Sequence, residues 1–123
     1  MKKLLLIFLL CLTHSAWAEW VLVYENEEAR FYVDPSSIRK EPGVLKAVDV
    51  KDMKKSELDG TKSRLALREY ECEAARSRIL SLSSYADHMA SGKMLTNTGE
   101  PSIWLDIKPG TAYYAVMLKA CSK

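Results

Sequence analysis

The chain has 123 residues, 48% of them hydrophobic and 28% charged, with a formal net charge of +2. That length suits one domain, and the near balance of charge argues against the strongly basic surface that nucleic acid or anionic membrane attracts. Of three cysteines and two histidines, only Cys72, Cys121 and His88 lie beyond residue 18, and one His with two Cys cannot complete a tetrahedral metal site without distant carboxylates, so no metal and no cofactor is expected.

The first element in chain order is a leader. Met1-Lys2-Lys3 precedes an apolar run from Leu4 to Leu12, and Ala16-Trp17-Ala18 follows. A positive start, an apolar stretch too short to span a bilayer, and small residues before a cut after Ala18 describe a signal peptide over residues 1–18. Residues 19–123 are then a single exported domain in a compartment where disulfides persist. Lys2 and Lys3 are the only formal charges of the leader, so 18 basic residues fall to 16 against 16 acidic ones. Cys11 raises the question of a lipid anchor, but Leu9-Leu10 before it are not the small residues that acylation favours. No later apolar run approaches the ~20 residues of a membrane span.

Glu19 to Tyr24 and Ala29 to Val33 are rich in β-branched and aromatic residues and read as two strands of a hairpin. Asp34-Pro35-Ser36-Ser37-Ile38 predicts one helical turn, with Asp34 as cap and Pro35 at the first helical position. Glu41-Pro42-Gly43 is a turn. Val44 to Met53 and Ser63 to Cys72 alternate as strands. Asp59-Gly60 between them suggests a two-residue turn that would set Lys51 opposite Arg68. A four-residue loop over 57–60 instead pairs Val50 with Leu67 and Asp49 with Arg68; apolar matching and opposite charge favour this register. Ala75 to Tyr85 is a further strand, serine-rich on its exposed side. Residues 87–101 read as a loop with a helical turn near 86–91, and Ser102 to Ile107 as the last strand. Thr111 then caps a helix whose Tyr113, Val116, Met117, Ala120 and Cys121 form one apolar stripe. The fold class is α+β: an antiparallel sheet of about five to six strands with a C-terminal helix on one face.

Beyond the leader the cysteines are Cys72 and Cys121. They are either two buried thiols or a bridge, which would close a loop of about 50 residues and contribute near 4 kcal/mol in the chain-entropy model.

Catalytic chemistry is poorly supported, and no catalytic residue is assigned. His88 is the one histidine after the leader, and its neighbour Asp87 cannot face it as a base and orienter would. Glu69, Glu71 and Glu73 alternate on what reads as a solvated face, and Glu27/Glu28 are adjacent in a turn. Lys51, Lys54, Lys55, Lys62, Arg64 and Arg68 cluster around the 53–63 hairpin tip. They read as a solvated edge guarded by lysine or as an electrostatic contact for an acidic partner. His88, with Met89 or Met94, is the candidate ligand of a non-covalent haem. Trp20, Trp104, Tyr113 and Tyr114 read as packing residues, with Tyr114 off the main stripe.

An ordered set of residues runs through the whole domain. It comprises Trp20, Phe31 to Ile38, Tyr70-Glu71-Cys72, Arg78-Ile79-Leu80, Ser84-Tyr85, Gly92, Trp104, Pro109-Gly110-Thr111 and Cys121. In this order the chain resembles the surface-adhesin protein E family of Gram-negative bacteria. The resemblance implies a Cys72–Cys121 disulfide, an antiparallel sheet with a flanking helix, a homodimer and a non-enzymatic role. It further implies contact with host matrix or serum proteins such as laminin, vitronectin and plasminogen, with haem binding also described for the namesake. The namesake is lipid-anchored at the outer membrane; without such an anchor this chain would be periplasmic or released at the cell surface. A periplasmic carrier of haem, or a partner of another exported protein, is the alternative.

Overall fold

A computed structural model describes residues 19–122; the leader and Cys11 lie outside the described residues. Among the described residues seven strands and one helix form, in the order β1 (Val21–Glu25), β2 (Ala29–Glu41), β3 (Val44–Met53), β4 (Ser63–Glu71), β5 (Arg76–Tyr85), β6 (Met94–Thr98), β7 (Leu105–Asp106) and α1 (Ala112–Cys121). Strands β1 to β6 lie side by side in chain order as an antiparallel meander, and β7 joins the outer side of β5. The α+β class, the C-terminal helix and the disulfide between Cys72 and Cys121 are all present.

Alternation decides which side chains meet. Phe31 and Val33 of β2 face the same side as Leu45 and Ala47 of β3 and Tyr70 of β4, and there they pack against Val116, Met117 and Ala120 of α1. Phe31 sits edge-on to both Tyr24 (6.0 Å between centroids) and Tyr113 (5.4 Å). Thr111 caps the helix by accepting from the Tyr114 amide. At its other end the disulfide ties Cys121 to the residue just after β4.

Several expectations need correction. Asp34 to Ile38 is not a helical turn but an irregularity within β2: four residues, 35–38, stand where β3 has only Ala47. Asp34 does act as a local cap, accepting from the amide and hydroxyl of Ser36, and the Ser37 hydroxyl takes the Val48 amide that the interrupted ladder would otherwise strand.

Neither hairpin register holds. Val50 is opposite Leu65, Asp49 opposite Ala66, and Lys51 opposite Arg64. The two-residue Asp59-Gly60 turn does not form either: the turn is centred on Leu58-Asp59, with the Gly60 amide donating to the Glu57 carbonyl and the Glu57 amide to the Thr61 carbonyl. Lys54, Lys55 and Ser56 are looped out on the β3 side, where the Lys54 amide donates to the Glu28 carbonyl and its Nζ reaches Glu25 at 2.8 Å. The slip is two residues, so every side chain keeps its face.

The segment 86–91 is no helical turn, because the Asp87 amide donates forward to the Ser91 carbonyl, as in a hairpin. It leads into β6, which the loop reading missed. Met89 and Ala90 adopt positive φ there. Gly92 does too, and a Cβ at that position would lie 2.5 Å from an Asp87 carboxylate oxygen. The last strand shrinks to Leu105–Asp106, since Ser102 pairs with Ile79 through its own amide and hydroxyl before the ladder begins. The serines of β5 are not confined to an exposed side: Ser77 and Ser84 are buried. Glu69 is likewise buried, held by Arg78 at 2.8 Å, so the glutamate row is not a solvated face.

Candidate functional site

Strands β3, β4 and β5 extend beyond the reach of α1, and this leaves a cleft of about 550 Å³ on the helix side of the sheet. Its floor is built in cross-strand rows. Lys51 and Arg64 form the first row, Asp49, Ala66 and Leu82 the second, and Arg68 with Ile79 the third. Leu105 and Ile107 line one wall and Tyr113, in the first turn of α1, the other. Ala66 is small and stands between two arginines on β4, which makes the room.

The polar centre of the floor is an ion pair. Arg68 donates from Nε to Asp49 at 2.8 Å and from Nη2 at 3.3 Å, and both residues are buried, 6% and 3% exposed. Burial alone would weaken the guanidinium's hold on its proton; the Asp49 carboxylate more than offsets this and raises its pKa. The guanidinium also stacks on Tyr113, 4.3 Å from the ring centre. Burial pushes the Tyr113 phenol above its ordinary range, and Tyr70, deeper in the core, well above it.

The predicted basic cluster is split. β3 and β4 are interior strands, so the guarded-edge reading of these lysines fails. Lys51 and Arg64 are direct cross-strand neighbours at the mouth of the cleft. Arg64 pairs with Glu57, whereas Lys51 has no carboxylate within salt-bridge distance among the described residues. Lys54 is tied to Glu25, and Lys55, together with Lys51, lines a depression beside Glu27, Glu28 and Glu57. Arg68 is withdrawn into the floor. Lys62 is half-buried, its amide donating to the Tyr85 carbonyl.

His88 meets a carboxylate, but not Asp87. Its Nδ1 lies 3.1 Å from Asp52, which also accepts the Met89 amide at 2.8 Å. Asp52 is one residue from Lys51 on the same strand, so this pair belongs to the opposite face from the cleft. Met94 is exposed on β6. Trp104 stacks on Arg78 and Arg76 at 4.8 and 5.7 Å, a packing role with a cationic partner that the sequence did not signal.

Sequence reasoning missed the cleft's apolar lining, Ile79, Leu82, Leu105 and Ile107. The available signal was the helix-side face of β4, Arg64-Ala66-Arg68-Tyr70, where one small residue interrupts long ones.

Fold and cleft together define a small single-sheet α+β domain, stapled by one disulfide, with a cation-mouthed groove beside its helix. The chain belongs to the surface-adhesin protein E family, whose model matches residues 20–122. Among solved structures it is similar to crystal form II of Haemophilus influenzae protein E, with a TM-score of 0.68 and 16% identity over 89% of this chain and 92% of that one. A second structure of H. influenzae protein E matches with a TM-score of 0.67 and 14% identity, covering 89% of each chain. Protein E from non-typeable H. influenzae matches with a TM-score of 0.65 and 13% identity over 89% and 80%. At such identities the likeness is one of fold. No curated protein matches the sequence. Among the described residues no helix is long and apolar enough to cross a membrane.

Proposed function

We propose that this protein is a non-enzymatic binding protein, exported by its leader to the periplasm or the outer-membrane surface, that contacts host matrix or serum proteins of the laminin, vitronectin and plasminogen class. Membership of the surface-adhesin family over residues 20–122 is the observation that carries this reading. The surface supports it at the 54–62 connection. Leu58 projects fully into solvent at its tip, with the exposed Lys54 and Lys55 nearby. An apolar anchor beside cations is what a polar-rimmed protein contact uses. The sheet face away from α1 carries half-buried Tyr32, Val48, Leu65 and Leu67, which supports pairing of two copies there.

The test is binding of the oxidised protein to immobilised laminin, vitronectin and plasminogen at two salt concentrations. Saturable binding that weakens with salt and is lost in a Lys54→Glu/Lys55→Glu/Leu58→Asp variant is expected. Binding to none of the three would defeat the proposal.

A further inference from the structure

We infer that the cleft between α1 and strands β3 to β5 is a binding site for a single-chain amphiphile with an anionic head, of the medium-chain carboxylate type. The head would sit at Lys51 and Arg64, and the chain would lie over Leu82 and Ile79 beneath Leu105 and Ile107.

Charge argues for the anion. Two like charges directly across a ladder destabilise a sheet unless something offsets them. Lys51 and Arg64 are such a pair, and Glu57 is taken up by Arg64. Lys51 has no ion-pair partner among the described residues; its ammonium lies 5.9 Å from the centre of the Phe31 ring, and Glu27 and Glu28 line the neighbouring depression rather than the cleft. The cleft is lined by Lys51, Arg64, Arg68 and Lys108 against Asp49 and Asp106, a balance that favours an anion. Arg68 is not a second anion site, because Asp49 already matches its charge and Tyr113 covers its face.

The interior argues for the chain. Past the mouth the β5 side of the floor (Leu82, Ile79) and the wall formed by Leu105 and Ile107 are apolar, while the Asp49–Arg68 pair occupies the β3–β4 side with its charges matched, and the exposed Leu105 extends the apolar strip to the rim. From Arg64 to Arg68 the floor runs four residues of β4, about 13 Å at strand spacing. A volume of about 550 Å³ lies within the range of roughly 300–1,000 Å³ typical of small-ligand sites. It is a slot for one chain. An extended peptide is disfavoured, since β3 and β4 are hydrogen-bonded on both sides and offer no free edge on the floor.

The experiment is a titration of sodium decanoate into the oxidised protein, followed through backbone amide shifts, with decylamine as the opposite head on the same tail. The inference predicts saturable shifts at Ala66, Leu82 and Tyr113 below the micelle-forming concentration, and markedly weaker binding of decylamine. Lys51→Gln, at a half-buried position on β3, lowers decanoate affinity by about fivefold, the upper end of what one exposed ion pair contributes. Leu82→Glu blocks the chain while leaving the mouth intact. Absence of saturable shifts would overturn the inference. So would shifts confined to Val48, Leu65 and Leu67 on the other face, equal binding of decylamine, or a Lys51→Gln variant that binds decanoate as well as the parent.

Discussion

Replacing Asp49 with alanine isolates the pair that holds the cleft floor. The change leaves the Arg68 guanidinium 6% exposed with no counter-charge at the position of the lost carboxylate. Removing one partner of a buried pair costs about 3–5 kcal/mol, mostly as the penalty of an uncompensated charge. Against a total stability of roughly 5–15 kcal/mol for a domain of this kind, Asp49→Ala is among the most damaging single changes available. With a urea dependence of about 2 kcal/mol per molar, the unfolding midpoint falls by roughly 2 M. The assay is equilibrium urea unfolding followed by far-ultraviolet circular dichroism. The double variant Asp49→Ala/Arg68→Met removes both charges and fills the space with an apolar chain, so it recovers most of the loss. The mechanism predicts strong coupling between the two sites. A cost below about 1 kcal/mol for Asp49→Ala, or a double variant equal to the sum of the singles, would refute it.

Three further outcomes follow from the packing. Reducing the Cys72–Cys121 bridge, which spans a sequence separation of 49, lowers stability by about 4 kcal/mol in the chain-entropy model, measurable as a fall in urea midpoint with and without reductant. Met117→Ala, at a position 4% exposed in the core, costs about 2–5 kcal/mol and loosens α1, visible as faster amide exchange in the helix. Tyr70→Phe behaves in the opposite way, because the buried Tyr70 hydroxyl has no partner among the described residues, and its removal stabilises the neutral protein by on the order of 1 kcal/mol. The same variant changes the alkaline limb. Burial holds the Tyr70 phenol well above its ordinary value, so below pH ~10 both folded and unfolded phenols are neutral and contribute no slope. Above that, the unfolded chain ionises first and stability falls as pH rises. Tyr70→Phe makes that fall shallower without abolishing it, since Tyr113 shifts in the same direction; an unchanged alkaline slope would contradict the burial of Tyr70.

Local signals were legible where local chemistry decides. Thr111 caps α1, the stripe through Val116, Met117 and Ala120 is buried, and the strands at 44–53 and 63–71 form where alternation put them. The Asp49–Arg68 ion pair was also foreseeable, although by the wrong register: the two meet diagonally rather than directly across. What failed was non-local. Asp34-Pro35 reads as a helix start, but the ladder with β3 overrides it and the serine hydroxyls patch the gap. The hairpin slip goes with Lys54 leaving the ladder to meet Glu25 at the end of β1 and Glu28 in the turn that follows. The partner of His88 is Asp52, 36 positions away, and no spacing rule connects them. The cleft escaped notice for the same reason: its walls come from β7 and α1, which pattern alone cannot set over β4.

The proposed contact with host proteins is open to one decisive binding assay. The most direct measurement is binding of the oxidised protein to immobilised laminin, vitronectin and plasminogen, run in parallel with the Lys54→Glu/Lys55→Glu/Leu58→Asp variant. Saturable, salt-sensitive binding to at least one of the three is expected, and the variant loses it while remaining folded, its unfolding midpoint lowered only modestly by loss of the exposed Lys54–Glu25 pair. Binding that the folded variant retains in full would contradict the assignment of the tip, and no binding at physiological salt would contradict the adhesin function itself.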